Sequence, residues 1–287
     1  MKAYLSLIKF AHTVFALPFA FLSFFLAVRI EGSKTNWRLF LLVLLCMIFA
    51  RSAAMAFNRY VDRDIDAKNQ RTSVREIPSG KISATSALMM VLVMSAAFVL
   101  TTWLINRQVL YLSPIALAVV LGYSYSKRFT WLCHFILGIA LGFAPLGAYI
   151  AVTGHFHPLP VLYGIMVMLW VAGFDILYAL QDETFDKEQG LFSIPARFGL
   201  ETAKKIAMGV HFLCALLLLY ITWYQGQLIP SLHLIHWLGA TGFIGLLIWQ
   251  HRLVYQYGLE KINQAFFETN GMASVLFGAA VILDVLT

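Results

Sequence analysis

Long apolar runs alternate along the chain with short polar or Gly/Pro-rich breaks, at about 10–28, 39–58, 85–105, 109–126, 132–152, 159–181, 205–224, 234–250 and 265–286. Most of these runs come close to the roughly 20 residues that a helix needs to cross the hydrocarbon of a bilayer. They lack the period-2 alternation of membrane barrel strands. In lipid every backbone N–H and C=O must be satisfied within the protein, so helices are the elements these runs predict. The expectation is an all-α integral membrane protein with about nine transmembrane helices, forming a single polytopic membrane domain over residues 1–287.

Composition agrees with that pattern. The chain is 60% hydrophobic and 12% charged, where a soluble domain carries about 25% charged residues, and no stretch is left over for a second, soluble domain. The net charge is +7, from 21 Lys and Arg against 14 Asp and Glu. Such a surplus suits nucleic acid, anionic lipid or a phosphorylated substrate, and position decides among them. With a cytoplasmic N-terminus, sixteen of the 21 basic residues fall in cytoplasmic loops, and only Arg29, Lys34, Arg38 and Arg107 fall outside. That asymmetry orients a multi-pass protein of the inner (cytoplasmic) membrane and leaves no role for nucleic acid. Cys46, Cys133 and Cys214 show no metal-type spacing and read as small core residues. The first residues read as a retained helix rather than a signal peptide.

The acidic residues gather on the same cytoplasmic side, Glu31 and Asp284 excepted. Asn58, Asp62 and Asp66 stand at i, i+4 and i+8, and Asp175, Tyr178, Asp182 and Asp186 at i, i+3, i+7 and i+11. On helices each set shares one stripe. Asp175 follows the apolar run 159–174, a depth at which an aspartate costs about 2.5–3.5 kcal/mol and marks a functional site by default. Facing carboxylates repel unless a cation neutralises them. The offered ligands are hard oxygens, which select Mg²⁺ or Ca²⁺ over zinc. Mg²⁺ is shared readily with substrate phosphates, and Arg71, Arg75, Lys127 and Arg128 then suit an anion larger than the aspartates. The segments that follow also match: Asp62 and Asp66 lead to Ile77-Pro78, and Asp182 and Asp186 lead to Ile194-Pro195. This predicts pseudo-duplicated halves, with one motif near 58–81 and the other near 175–199.

In these motifs the chain resembles the UbiA-type family of intramembrane aromatic prenyltransferases, in its 4-hydroxybenzoate polyprenyltransferase-like branch. Asn58-x3-Asp62-x3-Asp66 matches the first family motif and Asp175-x2-Tyr178-x3-Asp182-x3-Asp186 the second, with Tyr123 to Arg128 similar to the basic loop between them. The resemblance implies a horseshoe of nine helices around a central cavity, capped on the cytoplasmic side and open sideways to lipid. It also implies two Mg²⁺ ions binding a polyprenyl diphosphate, and transfer of the polyprenyl group to a small aromatic acid. 4-Hydroxybenzoate, in ubiquinone biosynthesis, is the first acceptor. The opening Lys9-Phe10-Ala11-His12 to Pro18 resembles a menaquinone-linked subgroup and implies 1,4-dihydroxy-6-naphthoate as the alternative.

The expected roles follow. Asp62, Asp66, Asp182 and Asp186 hold Mg²⁺ with Asn58 assisting, while Arg71, Lys127 and Arg128 hold phosphate oxygens. Asp175 and Tyr178 serve the acceptor, Asp175 as a base or by orienting Tyr178. Arg59, Lys9 and Arg128 are the cations available for the acceptor's carboxylate. Arg51 either snorkels or pairs, or faces the cavity. Gly138, Gly142 and Gly147 permit close helix packing. His155, His157, His233 and His236 read as outer-loop residues that no carboxylate completes into a site. An ion-coupled membrane transporter is the alternative of a different class. No obligate protein partner is implied.

Overall fold

The computed structural model describes residues 2–7 and 15–287, and Lys9 lies outside the described residues. Among them all regular structure is helical: α1 (Lys2–Leu7), α2 (Leu17–Ile30), α3 (Trp37–Lys68), α4 (Ala84–Ile105), α5 (Arg107–Gly122), α6 (Cys133–Thr153), α7 (Pro158–Ala179), α8 (Glu183–Glu188), α9 (Ile194–Phe198), α10 (Leu200–Leu228), α11 (Ile235–Tyr257) and α12 (Ile262–Leu286). Each of the nine apolar runs falls on one of these helices, though the start of the first lies among the undescribed residues. Seven described stretches are long and apolar enough to cross a membrane; the last, 235–286, comprises α11 and α12, and the apolar α2 is only 14 residues long.

Local chemistry sets the helix ends. Asn36, Ser83 and Asn106 cap α3, α4 and α5 by accepting the N–H of Leu39, Ser86 and Val109. Asn106 also donates to the carbonyls of Ile150 and Ala151, tying the α4–α5 turn to the end of α6. Pro114 inside α5 removes a donor for Leu110, and the Ser113 hydroxyl donates to that carbonyl at 2.8 Å.

Packing pairs the helices in sequence: α3 on α4, α6 on α7, α7 on α10, and α11 on α12, with α2 lying against both α6 and α12. The α6–α7 contact depends on glycine. A Cβ at Gly138 or Gly142 would lie 2.5 Å from the carbonyl oxygen of Met168 or Gly164, so the two backbones touch as the small-residue spacing predicts. The core is aromatic: wholly buried Trp170 meets Phe15, Phe19, Phe174 and Phe243, and its indole N–H donates to Asn270.

The ends of the bundle differ. One end gathers Arg29, Glu31, His155 and Ser231. There the reading of the outer histidines needs correction for His236, which is buried and meets a carboxylate: Asp284 accepts hydrogen bonds from the backbone N–H of His233 and His236 and pairs with His236 Nδ1. The partner arrives from the end of α12, 48 residues downstream in the chain, beyond the reach of local spacing. The opposite end carries both aspartate motifs.

Candidate active site

At 1.5 Å per residue, α3 with its 32 residues runs about 48 Å, longer than the roughly 30 Å of hydrocarbon. Its last turns therefore extend past the apolar layer, carrying the first motif. Asn58 Nδ2 donates to Asp62 Oδ2 at 3.0 Å, so these two share a face as the spacing predicts. Asp62 and Asp66 are both buried. The helix stops at Asn69, and the Thr72 hydroxyl takes up the Asp66 carbonyl. A loop of turns then brings its arginines back over the motif. Nη1 of Arg75 bridges both Asp66 oxygens at 2.7 and 2.8 Å.

Arg71 reaches across to the second motif. Its Nε and Nη2 fork onto the two Asp182 oxygens at 3.1 and 2.6 Å, Nη1 donates to the Tyr178 hydroxyl at 3.3 Å, and the guanidinium lies 5.6 Å from the Tyr178 ring centre. Asn69 Nδ2 adds a 3.2 Å bond to Asp182. Burial alone would lower the Arg71 pKa, but the hydrogen bond and the charge of Asp182 outweigh it and hold the guanidinium above its ordinary value.

The second motif departs from a single helical stripe. α7 ends at Ala179, and residues 180–182 form a 3-10 turn before α8, which carries Asp186 to where the charges of Lys127 and His134 act on it. Asp182 meets Arg71, while Asp175 meets His134 on α6 at 2.7 Å. Among the described residues Asp175 hydrogen-bonds His134 and not Tyr178. The ring of that tyrosine packs on Phe266 and its hydroxyl takes the Arg71 donor. Where the first motif leads into irregular turns, the second leads into two short helices, α8 and α9, so the matching sequences adopt different local structure.

The basic loop after α5 is a 3-10 helix, Tyr123–Arg128. Arg128 staples it to α3 by donating to the Ser124 and Val61 carbonyls, and it stands 3.1 Å from Asp62 Oδ1. That guanidinium thus divides its N–H groups between the two carbonyls and the buried Asp62 carboxylate, whose charge it offsets. Lys127 lies where its charge acts on both Asp62 and Asp186. It is the one predicted phosphate partner in no ion pair among the described residues.

No three His, Cys, Asp or Glu side chains form a preformed metal cage among the described residues. The stripes meet through arginine, with Arg71, Arg75 and Arg128 each facing one aspartate. This donor set still fits Mg²⁺, which takes one or two carboxylates, keeps its waters and shares phosphate oxygens. The buried Asp62 carboxylate, beside the Asn58 amide and faced by Arg128, offers hard oxygens for it.

Behind the charged end lies a cavity of about 330 Å³ whose walls come from α3 to α6. Ala54, one turn before Asn58, and Tyr123, one turn before Lys127, stand at its charged end. The lining is almost wholly apolar, with Arg51 the one charged residue among the described residues, and Arg51 Nε is buried with no hydrogen-bond partner among them. Arg59 Nε is likewise unpartnered, but Arg59 does not line this cavity.

Two features escaped the sequence reading. His134 is the only titratable side chain in the first half of α6 besides Cys133, and an ionisable group in an apolar helix was the available signal. Arg75 gave no signal that its partner would be Asp66.

The sequence profile of the UbiA prenyltransferase family matches residues 16–274. A 4-hydroxybenzoate octaprenyltransferase from Aliivibrio salmonicida is 29% identical over 244 residues, which is 85% of this chain and 84% of that protein. A UbiA homologue from Aeropyrum pernix K1, solved in its apo form, superposes with a TM-score of 0.85 at 30% identity, covering 95% of this chain and 98% of that one. A UbiA homologue from Archaeoglobus fulgidus, solved bound to GPP and Mg²⁺, shares the fold at a TM-score of 0.74 and 21% identity, covering 99% and 100% of the two chains.

Proposed function

Because this chain belongs to the UbiA prenyltransferase family, we propose that it transfers a polyprenyl group from polyprenyl diphosphate to an aromatic acid, with 4-hydroxybenzoate as acceptor in ubiquinone biosynthesis. The observation that carries the reading is the Arg71–Asp182 fork, which joins the two motifs at the charged end of the bundle. A relative that bears the name 4-hydroxybenzoate octaprenyltransferase over most of its length supports the acceptor.

In this reading Asp62, Asp66, Asp182 and Asp186, with Asn58, hold Mg²⁺, which supplies neutralising charge to the diphosphate. Arg71, Lys127 and Arg128 take phosphate oxygens, and the cation that each aspartate faces turns to the substrate. The allylic C–O bond breaks with its electron pair leaving on the diphosphate. Apolar walls keep water from the allylic carbon, and aromatic faces such as that of Tyr178 stabilise its positive charge. A carbon of the acceptor ring forms the new bond, and its proton passes to the departing diphosphate. Asp175, with Oδ2 on His134, keeps Oδ1 for the acceptor's hydroxyl. Arg51 anchors the acceptor's carboxylate, a role that its place in the cavity wall supports over Arg59 and Arg128.

The proposal places α2 to α7 and α10 to α12 as nine spans in a horseshoe, one domain with duplicated halves. The N-terminus and site face the cytoplasm across the inner membrane, and no protein partner is required. A second acceptor, 1,4-dihydroxy-6-naphthoate in menaquinone synthesis, is favoured by the Lys9 to Pro18 opening. An ion-coupled carrier is set aside, since the chain's family is one of transferases. Membranes containing the protein, supplied with labelled polyprenyl diphosphate, Mg²⁺ and both acids in competition, test the reading. A lipid-soluble prenylated acid supports it, and solute flux without such a product contradicts it.

A further inference from the structure

His134 sits at the start of α6, is 2% exposed, and bonds on both ring nitrogens. Ile194 N–H points at Nε2 at 3.3 Å. A backbone N–H can only donate, so Nε2 accepts and the ring proton belongs on Nδ1, where Asp175 Oδ2 stands at 2.7 Å. One carboxylate oxygen is thereby committed. Asp175 Oδ1 is hydrogen-bonded to nothing among the described residues, while the side chain keeps 25% of its surface accessible. The segment that supplies the Ile194 amide is tied to the basic loop as well: Phe192 N donates to the Lys127 carbonyl at 2.7 Å, and Cys133 Sγ lies 3.5 Å from the Phe192 carbonyl. One short stretch, 192–194, thus touches both the lysine that serves the diphosphate and the histidine that holds Asp175.

We propose that His134 is the positioning residue of the acceptor half of the site: held by the Ile194 amide, it fixes the Asp175 carboxylate so that Oδ1 alone is presented to the aromatic acceptor. The inference rests on reading the site as an aromatic prenyltransferase, and it adds a residue that the two aspartate motifs do not contain. The diphosphate half keeps its own contacts through Arg71 and Lys127, so loss of His134 acts on the acceptor and spares the donor.

Three variants separate the two arms. His134→Ala removes both bonds, His134→Asn keeps an N–H at the Nδ1 position for Asp175, and His134→Gln keeps a polar atom for Ile194 but none for Asp175. With geranyl diphosphate, Mg²⁺ and the acid that wild type prenylates, His134→Ala is expected to lose transfer about tenfold to hundredfold, as for one hydrogen bond to a charged group. The KM for geranyl diphosphate should stay within about twofold. His134→Asn should recover most of the loss and His134→Gln little of it. Unchanged transfer in His134→Ala, or an equal loss in all three with KM for geranyl diphosphate rising alongside, overturns the proposal. A second readout needs no turnover. In ¹⁵N-histidine-labelled wild type, the signals that vanish in His134→Asn should show Nδ1 protonated and Nε2 bare, and a proton on Nε2 overturns the proposal. Failure of wild type to prenylate either acid contradicts the functional reading itself, and with it the acceptor's part of this inference. Failure of the variant pattern in an active wild type overturns His134 alone.

Discussion

Arg71 and Asp182, 111 residues apart in the chain, meet in a two-nitrogen, two-oxygen fork at 3.1 and 2.6 Å. A planar guanidinium matches a carboxylate or a phosphate in this way, whereas an ammonium does not. Arg71→Lys keeps the charge and loses the fork. The expected outcome is a KM for prenyl diphosphate raised about tenfold, near 1.4 kcal/mol, with the KM for the acid little changed. Steady-state kinetics with geranyl diphosphate varied at saturating acid measures it. An unaltered KM would remove Arg71 from the diphosphate site.

Among the described residues Arg51 is the one charge in the cavity wall. Arg51→Met keeps the length and apolar stem while removing the charge. The KM for the aromatic acid should rise about tenfold to hundredfold, the worth of a charge-assisted hydrogen bond, and the KM for the diphosphate should hold. Binding of the acid by Arg51→Met with wild-type affinity would mean that another cation takes the carboxylate.

Asp284 provides a contrast at the far end of the bundle. It accepts from two backbone N–H groups and one imidazole, closing the start of α11 onto the end of α12. Asp284→Ala should destabilise the protein by about 3 kcal/mol, at about 1 kcal/mol per hydrogen bond, and leave both KM values unchanged. Thermal unfolding in detergent together with kinetics below the transition checks it. A selective loss of turnover at full stability would assign Asp284 to the chemistry instead.

The α6–α7 contact yields a packing prediction. Gly138→Ala brings a Cβ to 2.5 Å from the Met168 carbonyl, and overpacking of this kind costs about 1–3 kcal/mol. Gly209, in α10, has open space around its Cβ position, so Gly209→Ala should be neutral or stabilising by up to about 1 kcal/mol. The two melting temperatures in one detergent measure the difference, and equal values would contradict the close approach of the backbones.

Spacing alone placed Asn58 and Asp62 on one helix face, and the apolar runs located every long helix. What spacing could not supply were partners arriving from elsewhere in the chain. His134 precedes Asp175 by 41 residues and Asp284 follows His236 by 48; neither pair leaves a local periodic trace. The second motif misled for another reason. Its i, i+3, i+7, i+11 spacing assumes one α-helix, whereas the chain changes to a 3-10 turn at 180–182, which no residue in Leu180-Gln181-Asp182 announces. Of the nine runs, that of α2 gives a helix of only 14 residues, and those of α11 and α12 give two helices that part at Gly258 and pack on each other.

The central claim is that two aspartate motifs, joined by Arg71, direct Mg²⁺-dependent transfer of a prenyl group to an aromatic acid. It is tested most directly by mass-spectrometric detection of prenylated acid from the purified protein with polyprenyl diphosphate. Wild type, Asp62→Ala and Asp182→Ala are compared, each with Mg²⁺ and with a chelator. Product from wild type with Mg²⁺ only, and from neither variant, is the result this account predicts. Product from either variant at the wild-type rate, or from wild type in the chelator, would contradict it.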